Sequence, residues 1–249
     1  MASSSQVRRS RREQLQAQRV ATAQKERRNR ILMAIAGVVV FGLVVGLAVW
    51  GISTSTSSKG GTDTPPNANA AQNGIMLAPM QSGIPTLEIF SDYNCSVCKA
   101  ANLTLSAVID QAASTGKANV IVHSMSFEAA SSRPAAIAAS CADFQGKFVD
   151  YHNQLYINQS SSGFDSTMLQ TTIPAAIGLT GDALTSFQTC VQTEATGKFV
   201  DAEKAYAVKQ KVTATPTFFL DGQKIDNSKL FNTSTNTFDP DLLRALLNM

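Results

Sequence analysis

From Ile31 to Ile52 the chain reads ILMAIAGVVVFGLVVGLAVWGI, 22 residues with no charged or strongly polar side chain. As a helix rising about 1.5 Å per residue it spans about 33 Å, close to the roughly 30 Å hydrocarbon core of a bilayer. This segment divides the chain into two parts of different charge. Residues 1–30 hold nine basic side chains against two acidic ones, a net of +7, whereas the remaining 219 residues hold 12 basic and 16 acidic. The basic block flanks the apolar run on one side only, with Trp50 at the other end where an interfacial aromatic belongs. The positive-inside rule then predicts a cytoplasmic tail (1–30), a transmembrane helix (31–52) and an extracytoplasmic remainder. A cleaved signal peptide would carry an apolar core of about 7 to 15 residues with a small-residue cleavage site close behind. Here the run is longer and the nearest such site, Ala68–Ala71, lies well downstream. The tail lacks interleaved aromatics and leads straight into the apolar segment, which argues against a nucleic-acid partner.

Residues 53–76 are rich in Ser, Thr, Gly, Asn and Pro and are expected to form a flexible linker with a reach of roughly 25 Å. The folded domain is expected over 77–249, long enough for one packed core. PTLEIFS from Pro85 reads as a buried strand and NVIVHSM from Asn119 as a second. Between them, Ala101, Leu105, Val108 and Ala112 recur at helical spacing. A strand–helix–strand unit favours a parallel pair. A helical block is expected next, at about 127–210. Pro134 is a credible first helical residue, with one apolar stripe of Ile137, Cys141, Phe144, Phe148 and Leu155 and another of Leu184, Phe187, Cys190 and Val191. TPTFFL from Thr215 is a third core strand, Asp221-Gly222 signals a hairpin into QKI, and Asp239 caps a closing helix that begins at Pro240. The fold class is α/β, with a helical insertion between the second and third core strands.

Four cysteines in an extracytoplasmic domain point to disulfides, with three connectivities possible. Cys141 and Cys190 fall on apolar helical faces and suit a structural bridge between two helices, or else two inert buried thiols. Cys95 and Cys98 lie three apart at the start of a helix, where both sulfurs share one face and close a ring too small to staple much chain. Unsatisfied N–H groups and the partial positive charge of a helix N-terminus favour the thiolate of Cys95. That makes Cys95 the candidate nucleophile and Cys98 the resolving thiol. Structural zinc would need a second ligand pair, and the chain has only His123 and His152, which fit packed or surface roles better than ligation. The spacing leaves copper(I) on two thiolates open.

A Thr215-Pro216 step before an apolar strand, some 120 residues after a strand–CxxC–helix unit, resembles the cis-proline loop of the thioredoxin fold. With the helical insertion, the chain is similar to DsbA-like thiol:disulfide oxidoreductases in their membrane-anchored bacterial form. FSDYNCSVC, AASCADFQGKFVDYHNQLYINQ and VTATPTFFLDG carry the resemblance, which covers about Pro85 to Met249. It implies an enzyme without a cofactor or metal that introduces disulfides into reduced, unfolded exported proteins by exchange through Cys95 and Cys98. Thr215 and Pro216 would bind the substrate backbone. It also implies reoxidation by a quinone-linked membrane protein, DsbB-like or vitamin K epoxide reductase-like, with the protein itself monomeric. A reductase or isomerase fed by a membrane electron donor, or a non-enzymatic copper(I)-binding domain, is the alternative. Two departures matter. Ser96-Val97 stands where relatives often carry Pro then His or Tyr. Ile89 stands where thioredoxin-like enzymes often place a buried carboxylate, and Glu88 beside it points to the other face by strand alternation.

Overall fold

The computed structural model describes residues 60–71 and 73–249. The basic tail, the apolar segment 31–52 and the start of the linker lie outside the described residues. Among those described, no helix is long and apolar enough to cross a membrane.

Strand β1 (Ile75–Met76) is followed by β2 (Thr86–Asp92), helix α1 (Ser96–Ser114) and β3 (Asn119–Met125). The helical insertion comprises α2 (Ser132–Asp143), α3 (Phe148–Ile157), a wide turn at Met168–Thr172, and α4 (Ile173–Ala176), α5 (Gly181–Gln192) and α6 (Gly197–Lys209). The chain returns to the sheet with β4 (Thr217–Leu220) and β5 (Gln223–Lys224). A small ribbon, β6 (Phe231–Asn232) with β7 (Thr237–Phe238), and helix α7 (Pro240–Leu246) close it. The five-stranded sheet has the order β1-β3-β2-β4-β5. β2 and β3 run parallel with Ile89 opposite Val122, while β4 runs antiparallel to β2 with Phe218 opposite Ile89.

The register separates the two faces of the sheet. Leu87, Ile89, Val120 and Phe218 pack with Leu105, Val108 and Ala112 of α1 and Leu243 of α7. Phe90, Met125 and Phe219 pack with Ala207 of α6 on the opposite face. A second core runs from Tyr93, Cys95 and Cys98 into the insertion, where Ala-rich α2 lets Tyr151, Leu155, Phe187 and Phe199 approach closely. The core strands are buried on both faces, which explains their near-continuous apolar runs.

Three expectations are corrected. The flexible linker does not extend to residue 76. Gly61 N–H donates to the Glu194 carbonyl and Asp63 N–H to that of Ala195. Asn67 donates twice to the carboxylate of Asp143, both at 2.8 Å, and Ile75–Met76 adds an antiparallel edge strand to β3. Composition hid this because most of the segment attaches through backbone and Asn groups, with Ile75 as its main apolar anchor. Second, the stripe from Ile137 to Leu155 is not one helix. Gly146 at φ +65° breaks it, and Phe144, read as part of the apolar face, is 40% exposed at the end of α2. Third, α2 begins at Ser132 rather than Pro134, with Ser132 Oγ engaged at the loop before it.

Candidate active site at the Cys95 and Cys98 pair

β2 leads into α1 through a turn organised by Asp92. Its side chain is fully buried, and its carboxylate accepts from Asn94 N–H at 2.9 Å, Ser132 Oγ–H at 2.7 Å, and the Phe127 and Glu128 N–H groups at 3.0 and 3.1 Å. One carboxylate therefore joins the cysteine loop to the loop leaving β3 and to the start of α2. Gln159, just past α3, donates through Nε2 to the carbonyls of Tyr93 at 2.6 Å and Cys95 at 3.0 Å. Lys99 reaches back to the Gln159 carbonyl at 3.1 Å. Sequence reasoning missed both anchors. Asp92 sits three residues before Cys95 at a strand end, a position that suits a turn-forming carboxylate, whereas nothing local marks Gln159.

Cys95 is the N-cap of α1, in extended conformation, and its sulfur accepts from Cys98 N–H at 3.4 Å. Neither cysteine is bridged. Cys95 is 8% exposed and Cys98 only 1%, so Cys95 is the sulfur an incoming group can reach. Hydrogen bonding from Cys98 is the largest influence lowering the Cys95 pKa to about 6. The Thr215 side chain and the Val97 and Cys98 N–H groups add to it, against burial, which acts the other way. Cys98 is pushed far up, first by burial and then by the neighbouring Cys95. Ser96-Val97 contributes no charged side chain, so the anion rests on sulfur, hydroxyl and backbone donors at the helix start.

The Thr215–Pro216 peptide is cis and faces this pair. Cys95 Sγ–H donates to the Thr215 carbonyl at 3.3 Å. The loop is held by Asn227 Nδ2 donating to the Pro216 carbonyl at 3.0 Å and Thr217 Oγ1 to that of Ala214 at 2.7 Å. Thr215 Oγ1 donates to Glu128 at 3.3 Å. Cys95, Cys98, Thr215 and Pro216 thus meet in one site. Cys141 and Cys190 are joined by a disulfide linking α2 to α5 across 49 residues of sequence, with Cα atoms 5.8 Å apart.

The two histidines differ. His123 is fully buried, stacks on Phe90, and bonds to the Asn73 carbonyl and to Glu88 Oε2 at 3.0 Å. The His123 contact holds the Glu88 carboxyl below its ordinary range, and Tyr206 of α6 donates to the same oxygen. Glu88 therefore lies on the α6 face, away from Cys98. His152 of α3 pairs its Nδ1 with Tyr93 Oη at 3.0 Å, and burial lowers its pKa to about 4, leaving the ring neutral.

Residues 82–239 match the family model described as Thioredoxin, well over half the chain. Among curated proteins none matches the chain in sequence. Several solved structures share the fold. The MdbA protein of Actinomyces oris, a thiol-disulfide oxidoreductase, is 18% identical, with a TM-score of 0.63 over 78% of this chain and 95% of that one. BdbD of Bacillus subtilis is 18% identical, with a TM-score of 0.56 over 76% and 96%. DsbA of Mycobacterium tuberculosis is 17% identical, with a TM-score of 0.55 over 71% and 91%. The family match over residues 82–239 establishes that this chain belongs to the thioredoxin family.

Proposed function

We propose that this protein is an extracytoplasmic thiol:disulfide oxidoreductase that introduces disulfides into exported proteins through Cys95 and Cys98. One observation carries the reading: within a single pair, Cys95 is reachable and acidic while Cys98 is closed and holds its proton. A client thiolate attacks Cys95 Sγ of the Cys95–Cys98 disulfide, forming a mixed disulfide, and Cys98 leaves as a thiolate that is protonated. A second client thiolate attacks the client sulfur of that bond, the client disulfide forms, and Cys95 leaves as a thiolate. Two electrons pass from client to protein. Cys95 is a good leaving group at neutral pH because its thiolate is the favoured form, and that same preference favours the reduced protein and hence an oxidising pair.

The Thr215 carbonyl contacts the reactive sulfur, which suits the loop to pair with a client backbone beside the cysteine under attack. The apolar segment 31–52 is read as an uncleaved anchor that holds the domain outside the cell membrane, near a quinone-linked partner that reoxidises the pair. The similarity in fold to thiol-disulfide oxidoreductases supports the chemistry class. The test is twofold. Oxidised protein mixed with a reduced, unfolded client should generate client disulfides, and Cys98→Ser should accumulate Cys95–client mixed disulfides in cells. A wild-type pair found reduced at steady state would make the protein a reductase or isomerase instead.

A further inference from the structure

Beneath the cysteine pair lies a partly enclosed cavity of about 30 Å³. Its wall includes Cys98, Ala101, Ile89, Ser91, Tyr156 and His152. A single water needs roughly 10–15 Å³ of such space, so the cavity has room for about two. The polar groups on its wall give waters there hydrogen-bonding partners.

Cys98 must exchange a proton in every catalytic cycle, yet Ile89, which shares this wall with it, cannot take one, and Glu88 is committed to His123 and Tyr206 on the other face. Ser91 and Tyr156 bond to each other. Asp110 and His152 are the titratable side chains left on this wall. His152 is the better placed: its ring lies against Tyr156, which neighbours Cys98, its Nδ1 is held by Tyr93, and no bond to its Nε2 is seen among the described residues. We propose that the proton exchanged by Cys98 passes through water in this cavity to and from the imidazole of His152. This rests on the disulfide-exchange reading above.

When a client thiolate breaks the Cys95–Cys98 bond, the electron pair of that bond goes to Cys98 Sγ. Neutral imidazole at His152 takes up a proton as the Cys98 thiolate forms, passes it through water to that thiolate and returns to neutral imidazole. That proton comes from solvent, balancing the one the client thiol released on ionising. In the reverse direction neutral His152 accepts the Cys98 proton as the thiolate attacks Cys95. Burial keeps the resting ring neutral, while a thiolate across the cavity favours its charged form at the moment a proton is needed. The titratable and charged groups arrayed around the ring are Cys98 and Asp110 of α1, Tyr156 of α3, and Tyr93 and Asp92 at the end of β2, with Glu203 of α6 beyond Tyr93. His152 is thus a positioning residue for the proton and does not touch the client.

The test measures single-turnover oxidation of a reduced dithiol peptide by the full protein as a function of pH, together with the thiolate titration of Cys95. His152→Gln is expected to slow the step about 100-fold and flatten its pH profile, with Cys95 still titrating near about 6. Ala101→Leu, which fills the cavity and keeps the histidine, is expected to slow it in the same way. It carries the test if His152→Gln does not fold. Ile89→Asp added to His152→Gln should restore part of the rate. Several results would overturn the relay: wild-type rates in both variants, a displaced Cys95 titration that accounts for the slowing, or loss of the pH profile in Asp110→Asn instead. Absence of exchange in the wild-type protein would sink the exchange reading itself, a distinguishable outcome.

Discussion

The molecule holds two cysteine pairs that one chemistry could in principle treat alike. Cys141 and Cys190 lie 49 residues apart, project from two helices of the insertion, and are bridged. Cys95 and Cys98 lie one helical turn apart and are free. Distance along the chain sets what a bridge can do for stability, since closing a long loop removes more freedom from the unfolded chain. Environment sets reactivity: Cys95 borders the surface at a helix N-terminus facing the Thr215 carbonyl, whereas Cys141 is fully buried within the alanine-rich packing of α2. The staple joins α2 to α5 and the reactive pair opens α1, so the two sit on different elements of one apolar cluster.

The sharpest way to break this division is to remove one sulfur from each pair. Cys95→Ser is expected to reduce disulfide exchange by at least about 1000-fold while leaving the thermal midpoint near that of the reduced wild type; activity assays and calorimetry together check it. Replacing Cys141 and Cys190 by Ala is expected to cost about 4 kcal/mol and lower the midpoint by roughly 10 °C. The exchange rate per folded molecule should survive. A large loss of rate in the folded double variant would mean that the insertion bridge takes part in the chemistry.

Alkylation offers a finer comparison. In the reduced protein an iodoacetamide-type reagent should modify Cys95 alone, with Cys98 and the bridged pair protected until unfolding. The rate should fall tenfold per pH unit below about 6. The sign of the stability effect is fixed, because the folded-state pKa lies below the unfolded value of about 8.5. The contribution of Cys95 to reduced-state stability is fully present above about 8.5 and is lost as pH falls through about 6, as denaturation of the reduced protein across that window would record. The smallest effect belongs to Thr215→Val, which removes one of the groups that lower the Cys95 pKa. It should raise that pKa without abolishing exchange, and a thiolate titration reads it directly.

The sequence made some of this legible for physical reasons. β2, β3 and α1 are written in dense apolar patterns from Leu87 to Val122, and the Asp221-Gly222 turn carries the two positive φ angles, +50° and +74°, that such hairpins require. Other features depended on contacts that no local pattern encodes. The segment from Gly60 to Met76 looked like a tether because backbone and Asn groups fasten most of it to Glu194, Ala195 and Asp143, and only Ile75 near its end is a large apolar anchor. A single glycine at 146 divided what the apolar stripe presented as one helix. In the site, the cysteines announced themselves by spacing. Asp92, Gln159 and His152 did not, since their roles arise from loops and helices brought together by the fold.

The central claim is that this pair runs as an oxidant, and its reduction potential tests that most directly. Equilibrating the protein with glutathione buffers should place the Cys95–Cys98 couple well above the roughly −270 mV of thioredoxin and below the roughly −120 mV of DsbA, since a pKa of about 6 falls between theirs. A value at or below about −270 mV would contradict the account.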